Sequence, residues 1–165
     1  MTDQILFIET QKFRKWWLWI FILGIDFAFA FSIFKKMEAT EISFQNLIQS
    51  PDVIIPLITL ILVTSLFLFA RLDTKITKKG IFVRFYPIRI NYKFLPWDSI
   101  QEINLVKYNA LLEYGGWGIR YGDGKALNTS GNRGLKIKFK NQKKLLIGTN
   151  KPDELEKTLS KNSKI

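Results

Sequence analysis

Between Phe13 and Phe34, and again between Val53 and Ala70, the chain is almost continuously apolar, and each run approaches the roughly 20 residues that carry an α-helix across hydrocarbon. The pattern predicts two transmembrane helices within residues 1–71, at about 13–34 and 53–70. From Leu72 onward the period shortens to two: Thr74 and Ile76, then Ile81, Val83 and Phe85, then Ile88, Ile90, Tyr92 and Phe94 alternate with polar or basic residues. These segments predict half-buried antiparallel strands. Residues 72–165 therefore read as a β-rich soluble domain attached to a helical hairpin.

Turn residues fall where hairpins need them, at Lys79-Gly80, Tyr86-Pro87, Pro96, Asp123-Gly124, Gly131 to Gly134 and Asn141, which divides the domain into about seven or eight short strands. Gly134 to Lys140 and Lys143 to Gly148 form the last predicted hairpin. A helix follows: Pro152 suits its first turn, Asp153, Glu154 and Glu156 face its positive end, and Leu155 with Leu159 make an i,i+4 apolar pair.

Charge is divided unevenly. Residues 1–70 carry five basic and six acidic side chains, and residues 71–165 carry twenty basic and eight acidic. The domain thus carries +12, the first 70 residues −1, and the chain +11. A domain tethered to a bilayer meets the anionic leaflet first, where each nearby Lys or Arg contributes about 1 kcal/mol. Lys12, Arg14 and Lys15 precede the first helix, with Trp16, Trp17 and Trp19 as interfacial rings, and Arg71, Lys75, Lys78 and Lys79 follow the second. Lys35 and Lys36 in the connection are offset by Glu38, Glu41 and Asp52. This asymmetry predicts a multi-pass protein with both termini in the cytoplasm. A cleaved signal peptide, with Ala28-Phe29-Ala30 as a small-residue site, is the competing reading of the first run, and its length disfavours it. Asp26, the one ionisable residue well inside that run, marks either an ion path or an intramembrane hydrogen bond to Thr59, Thr64, Ser65 or a neighbouring subunit; the second reading is preferred.

The segment Leu111-Leu112-Glu113-Tyr114-Gly115-Gly116-Trp117-Gly118-Ile119-Arg120, the later Asn128-Thr129-Ser130-Gly131-Asn132-Arg133-Gly134, and Gly148 followed by Lys151-Pro152-Asp153-Glu154-Leu155 resemble a family of bacterial PH-like (pleckstrin-homology-like) proteins, small two-helix membrane proteins of mostly unknown activity. The resemblance extends over nearly the whole chain. It implies a bent antiparallel sheet closed into a PH-like barrel and capped by the C-terminal helix, a membrane anchor, and homo-oligomerisation through the domain.

Two loops stand out as a partner or ligand site: Glu113, Tyr114, Gly115, Gly116, Trp117 and Arg120 in one, Asn128, Ser130, Asn132 and Arg133 in the other. Glycines permit close backbone approach, the indole offers a donor, and the guanidinium offers a planar fork. The structural alternative makes Gly115-Gly116 a bulge, packs Trp117 in the domain, and pairs Glu113 with Arg120. Arg71, Lys75, Lys78, Lys79, Arg84, Arg89 and Lys93 form a second candidate set, for a membrane surface. Lys136, Lys138, Lys140, Lys143 and Lys144 read instead as a solvated strand face.

No Cys and no His occur, which removes thiolate and imidazole chemistry and the usual zinc ligands. Gly131-Asn132-Arg133-Gly134 lacks the helices of an RNA clamp, and no phosphate loop or dinucleotide fingerprint is present. The sequence thus predicts a non-catalytic scaffold or adaptor at the cytoplasmic face of a bacterial inner membrane, without cofactor, metal or nucleic acid. Its expected partners are anionic headgroups, sister subunits and another membrane protein. Alternatives are an anionic-lipid sensor, or a pore or transport accessory using Asp26.

Overall fold

The computed structural model describes residues 4–13, 16–40, 46 and 50–161. Arg14, Lys15 and Glu41, which entered the charge argument above, lie outside the described residues. The chain forms two units, one of the apolar helices and one of the strands together with the last helix.

The strand-rich unit begins earlier than the hydropathy pattern indicates. Ile5–Lys12 is a strand, β1, and it pairs antiparallel with β2 (Arg71–Thr77) from Ile5↔Thr77 to Lys12↔Arg71. The residues assigned above to a hairpin of 1–71 therefore include a strand of the domain. β3 (Gly80–Tyr86) and β4 (Lys93–Pro96) complete a four-stranded antiparallel sheet A in the order β1-β2-β3-β4. Leu72, Ile76, Ile81, Val83, Phe85 and Leu95 are buried, as their alternation requires. Ile88 and Ile90, expected in a strand, sit between β3 and β4 and are exposed; the Tyr86-Pro87 peptide is cis.

A 3₁₀ turn at Trp97–Ser99 leads into sheet B. Its members are β5 (Ile100–Lys107), β6 (Gly118–Gly122), β7 (Gly124–Asn128), β8 (Arg133–Phe139) and β9 (Lys144–Thr149), ordered β5-β8-β9-β7-β6. β7 runs parallel to β9 and every other pair is antiparallel. Leu135, Ile137, Leu145, Leu146 and Ile147 supply its buried face.

The barrel expectation fails: the strands divide into two separate sheets, and no closed barrel forms among the described residues. The break falls at β4, which is only four residues long and ends at Pro96, whose missing N–H cannot extend a ladder. The turn at Trp97 then starts a new sheet. β7 lying parallel to β9 is a second departure from a simple meander.

The helical unit holds α1 (Trp16–Thr40) and α2 (Pro51–Phe69). The expectation of two membrane-crossing helices also fails. One stretch, Trp16–Lys36, is long and apolar enough to cross a membrane, at 21 residues, and it is almost wholly exposed. The apolar part of α2, Val53–Phe69, is shorter. It is hemmed in by Pro51 at its start and by Arg71, already committed to the β ladder, at its end.

Two further helices belong to the strand-rich unit: α3 (Ala110–Tyr114) and α4 (Pro152–Lys161), the latter placed as its sequence predicts, with Leu155 buried.

Candidate functional site

The corner predicted from residues 111–120 and 128–134 is built around α3. Asn109 caps it: its Oδ1 accepts from the backbone N–H of Leu111 and of Leu112, both at 3.1 Å, while Glu113 Oε1 accepts from the N–H of Asn109 at 2.7 Å. Gly115, at φ 69°, reverses the chain, so that its N–H and that of Gly116 reach the carbonyls of Leu111 and Ala110. The helix is thus closed at both ends. Glu113 serves as a cap rather than as the partner of Arg120, whose Nε donates to the Trp117 carbonyl at 3.0 Å.

Tyr108, Ala110, Tyr114, Ala126 and Leu146 form a buried cluster beneath this corner, with Trp117 packed against it. Burial pushes the Tyr108 phenol above its ordinary value, and burial raises Tyr114 as well; the buried Tyr108 hydroxyl and Asn128 Nδ2 have no hydrogen-bond partner among the described residues. Asn128 is buried and accepts from the Gly118 N–H at 2.9 Å, and Ser130 accepts from Asn150 Nδ2 at the same distance. The Asn132 carbonyl accepts from the Tyr108 N–H.

Above the cluster opens a cleft of about 430 Å³, lined by Tyr108, Asn109, Leu111, Trp117, Gly131 and Asn132 among others. The structure therefore brings Trp117 and Asn132 together. Glu113, Tyr114, Gly115, Gly116, Arg120, Asn128, Ser130 and Arg133 hold the surrounding frame without lining the cleft. Tyr108, Asn109 and Leu111 were missed. Asn109 followed by Ala110-Leu111-Leu112-Glu113, an N-cap residue ahead of strong helix formers, was a signal that could have placed α3 in advance. Beside the cleft Leu111 is 60% and Leu112 86% exposed, an apolar tip on a rigid capped turn.

Three members of the proposed membrane-surface set, Arg71, Lys75 and Arg84, have side chains engaged within the protein. Asp73, 4% exposed, accepts from Arg84 Nε at 2.6 Å and from Thr10 Oγ1 at 2.7 Å, and Arg71 Nε lies 3.3 Å away. The Arg84 guanidinium is held above its ordinary value, first by the hydrogen bond to Asp73. Arg84 and Lys75 also lie over the Tyr92 ring at 4.5 and 4.7 Å, and Arg71 over Tyr86 at 5.0 Å. Lys78 and Lys79 flank the turn into β3, Arg89 donates its N–H to the Phe85 carbonyl, and Lys93 opens β4. In the helical unit Thr64 Oγ1 makes a long hydrogen bond of 3.4 Å to the Asp26 carboxylate.

A further polar arrangement escaped the sequence. β1 turns Phe7, Glu9 and Gln11 inward. Thr149 Oγ1 and the Asn150 N–H donate to the Glu9 carboxylate at 2.7 and 2.8 Å, Gln11 Nε2 donates to the Gly148 carbonyl at 2.6 Å, and Thr129 Oγ1 reaches Gln11 Oε1. A strand of sheet A is thereby clasped to the ends of β7 and β9. No group of three or more His, Cys, Asp and Glu side chains that could hold a metal ion occurs among the described residues. The chain matches no protein-family model, no curated protein and no solved structure.

Proposed function

We propose that this protein is a membrane-tethered, non-catalytic scaffold, held at the cytoplasmic face of a bacterial inner membrane by α1 and assembled with copies of itself through the α3 corner. The observation that carries the reading is the exposed apolar stretch Trp16–Lys36, joined directly to a cationic domain. Exposed apolar surface of that extent requires either lipid or protein to cover it. The domain brings a rigid corner with two solvent-facing leucines, and the chain has neither Cys nor His to act as nucleophile or base. Lysine-rich character favours the leaflet that carries anionic lipid.

The test is the mass of the detergent-extracted full chain, before and after Leu112→Asp. We expect a complex larger than one chain that falls to a single chain in the variant. A native protein that is already one chain removes the self-assembly, and recovery of the chain in the soluble fraction of lysed cells removes the tether.

A further inference from the structure

The strand-rich unit holds a further depression, apart from the α3 corner and the outer face of sheet A. It is a groove of about 790 Å³ between β4 of sheet A and the β6–β7 and β8–β9 turns of sheet B. Its rim carries Lys93, Lys125, Lys143 and Lys144, against the single carboxylate of Asp123. That carboxylate is already taken, since Lys136 and Lys144 both donate to it. Lys93, Lys125 and Lys143 have no carboxylate partner among the described residues. Partial desolvation pulls the Lys93 amine below its ordinary value, and repulsion from Lys125, Arg89 and Lys143 adds to the shift. Like charges held together around a concavity raise the local concentration of anions.

The floor is of the opposite kind. Phe94, which stacks on Phe82 with ring centroids 4.6 Å apart, remains 43% exposed, half-buried Phe139 continues the apolar surface, and Leu145 lies buried behind it. An inorganic anion would leave this surface unused. A docking peptide strand would need ladder partners, and β4 offers few, being four residues long and ending at Pro96. Charge at the rim and hydrocarbon at the floor together call for a molecule divided in the same way. Three cations without a carboxylate partner, Lys125 lying over the Tyr121 ring at 5.6 Å, match a phosphate monoester, which carries close to two negative charges near neutrality, better than a carboxylate with one.

We propose that this groove binds a single-chain lipid phosphomonoester, with its phosphate among Lys93, Lys125 and Lys143 and its chain along Phe94 and Phe139. The site is distinct from the scaffold corner, and its success or failure leaves that reading untouched.

Protection of the three lysines from acetylation, read residue by residue by mass spectrometry on the full chain in a non-ionic detergent, tests it. Dodecyl phosphate is the probe, with inorganic phosphate as the head alone and dodecanol as the chain alone. We expect dodecyl phosphate to protect Lys93, Lys125 and Lys143 at a concentration at least tenfold below either control, with Lys157, on the exposed side of α4, unaffected. In Lys93→Gln the protection of Lys125 and Lys143 should require several-fold more probe, and Phe94→Ser should weaken dodecyl phosphate while leaving inorganic phosphate unchanged. Equal protection by inorganic phosphate or by dodecanol, or full protection in both variants, overturns the proposal.

Discussion

Asp73 shows how much of the surface charge is spent inside the fold. Its buried carboxylate gathers Arg71, Arg84 and Thr10 and so withdraws two of the cations that the sequence offered to a membrane. Asp73→Asn keeps the shape and removes the charge, and should cost about 1.5–3 kcal/mol, the range for a hydrogen bond to a charged group, read from thermal unfolding. Asp123 behaves differently because it is fully exposed. Hydrogen bonds from Lys144 and Lys136 lower its value from 3.8 to about 2. A lowered carboxylate contributes stability above its unfolded value and loses it as pH falls through the folded one. The native protein should therefore unfold slightly above Asp123→Asn near neutrality, and the two melting temperatures should converge as the pH drops from about 4 to about 2. Neither carboxylate was legible beforehand. Asp73 sits in a strand that alternates correctly, and only the register of β2 against β1 and β3 brings Thr10 and Arg84 to it.

At the level of elements, hydropathy period located most strands and the last helix, because Leu72, Ile76, Ile81, Val83 and Phe85 on one side and Leu135, Ile137 and Ile147 on the other bury an alternating face. Leu155→Ala in α4 should cost about 2–5 kcal/mol in the same unfolding measurement, since Leu155 is buried. β1 was not visible because its pattern is inverted: Glu9 and Gln11 point inward while Ile5 and Ile8 face solvent. A polar residue buried in a strand reads as surface until its partners are known, and those partners lie at Thr149, Asn150 and Gly148. Gln11→Ala leaves the buried Gly148 carbonyl without its donor, so we expect a loss of about 1–3 kcal/mol and faster amide exchange from Gly148 to Lys151. The resemblance to PH-like proteins implied one closed barrel. The two-sheet arrangement depends on Pro96 and on β7 running beside β9, neither of which hydropathy period registers.

For the molecule as a whole, the pairing of Lys12 with Arg71 matters most, because it sets both ends of the apolar insertion side by side in one sheet. If α1 enters a bilayer as proposed, the pairing of β1 with β2 requires the intervening residues to return to the side from which they entered. The chain has no native Cys, so single cysteines at Gln4 and Lys157 report this directly. With the tether proposed above, both should react with a membrane-impermeant maleimide in inverted vesicles and neither in right-side-out vesicles; opposite labelling of the two would contradict the ladder. The same feature governs the order of events at the ribosome. β1 emerges first, yet the neighbour that completes it is translated only after the entire apolar segment, at about 5–20 residues per second. During that interval Glu9 and Gln11 have no buried partners and α1 is already available to lipid. Under the proposed tether, delivery of α1 to lipid therefore precedes completion of sheet A.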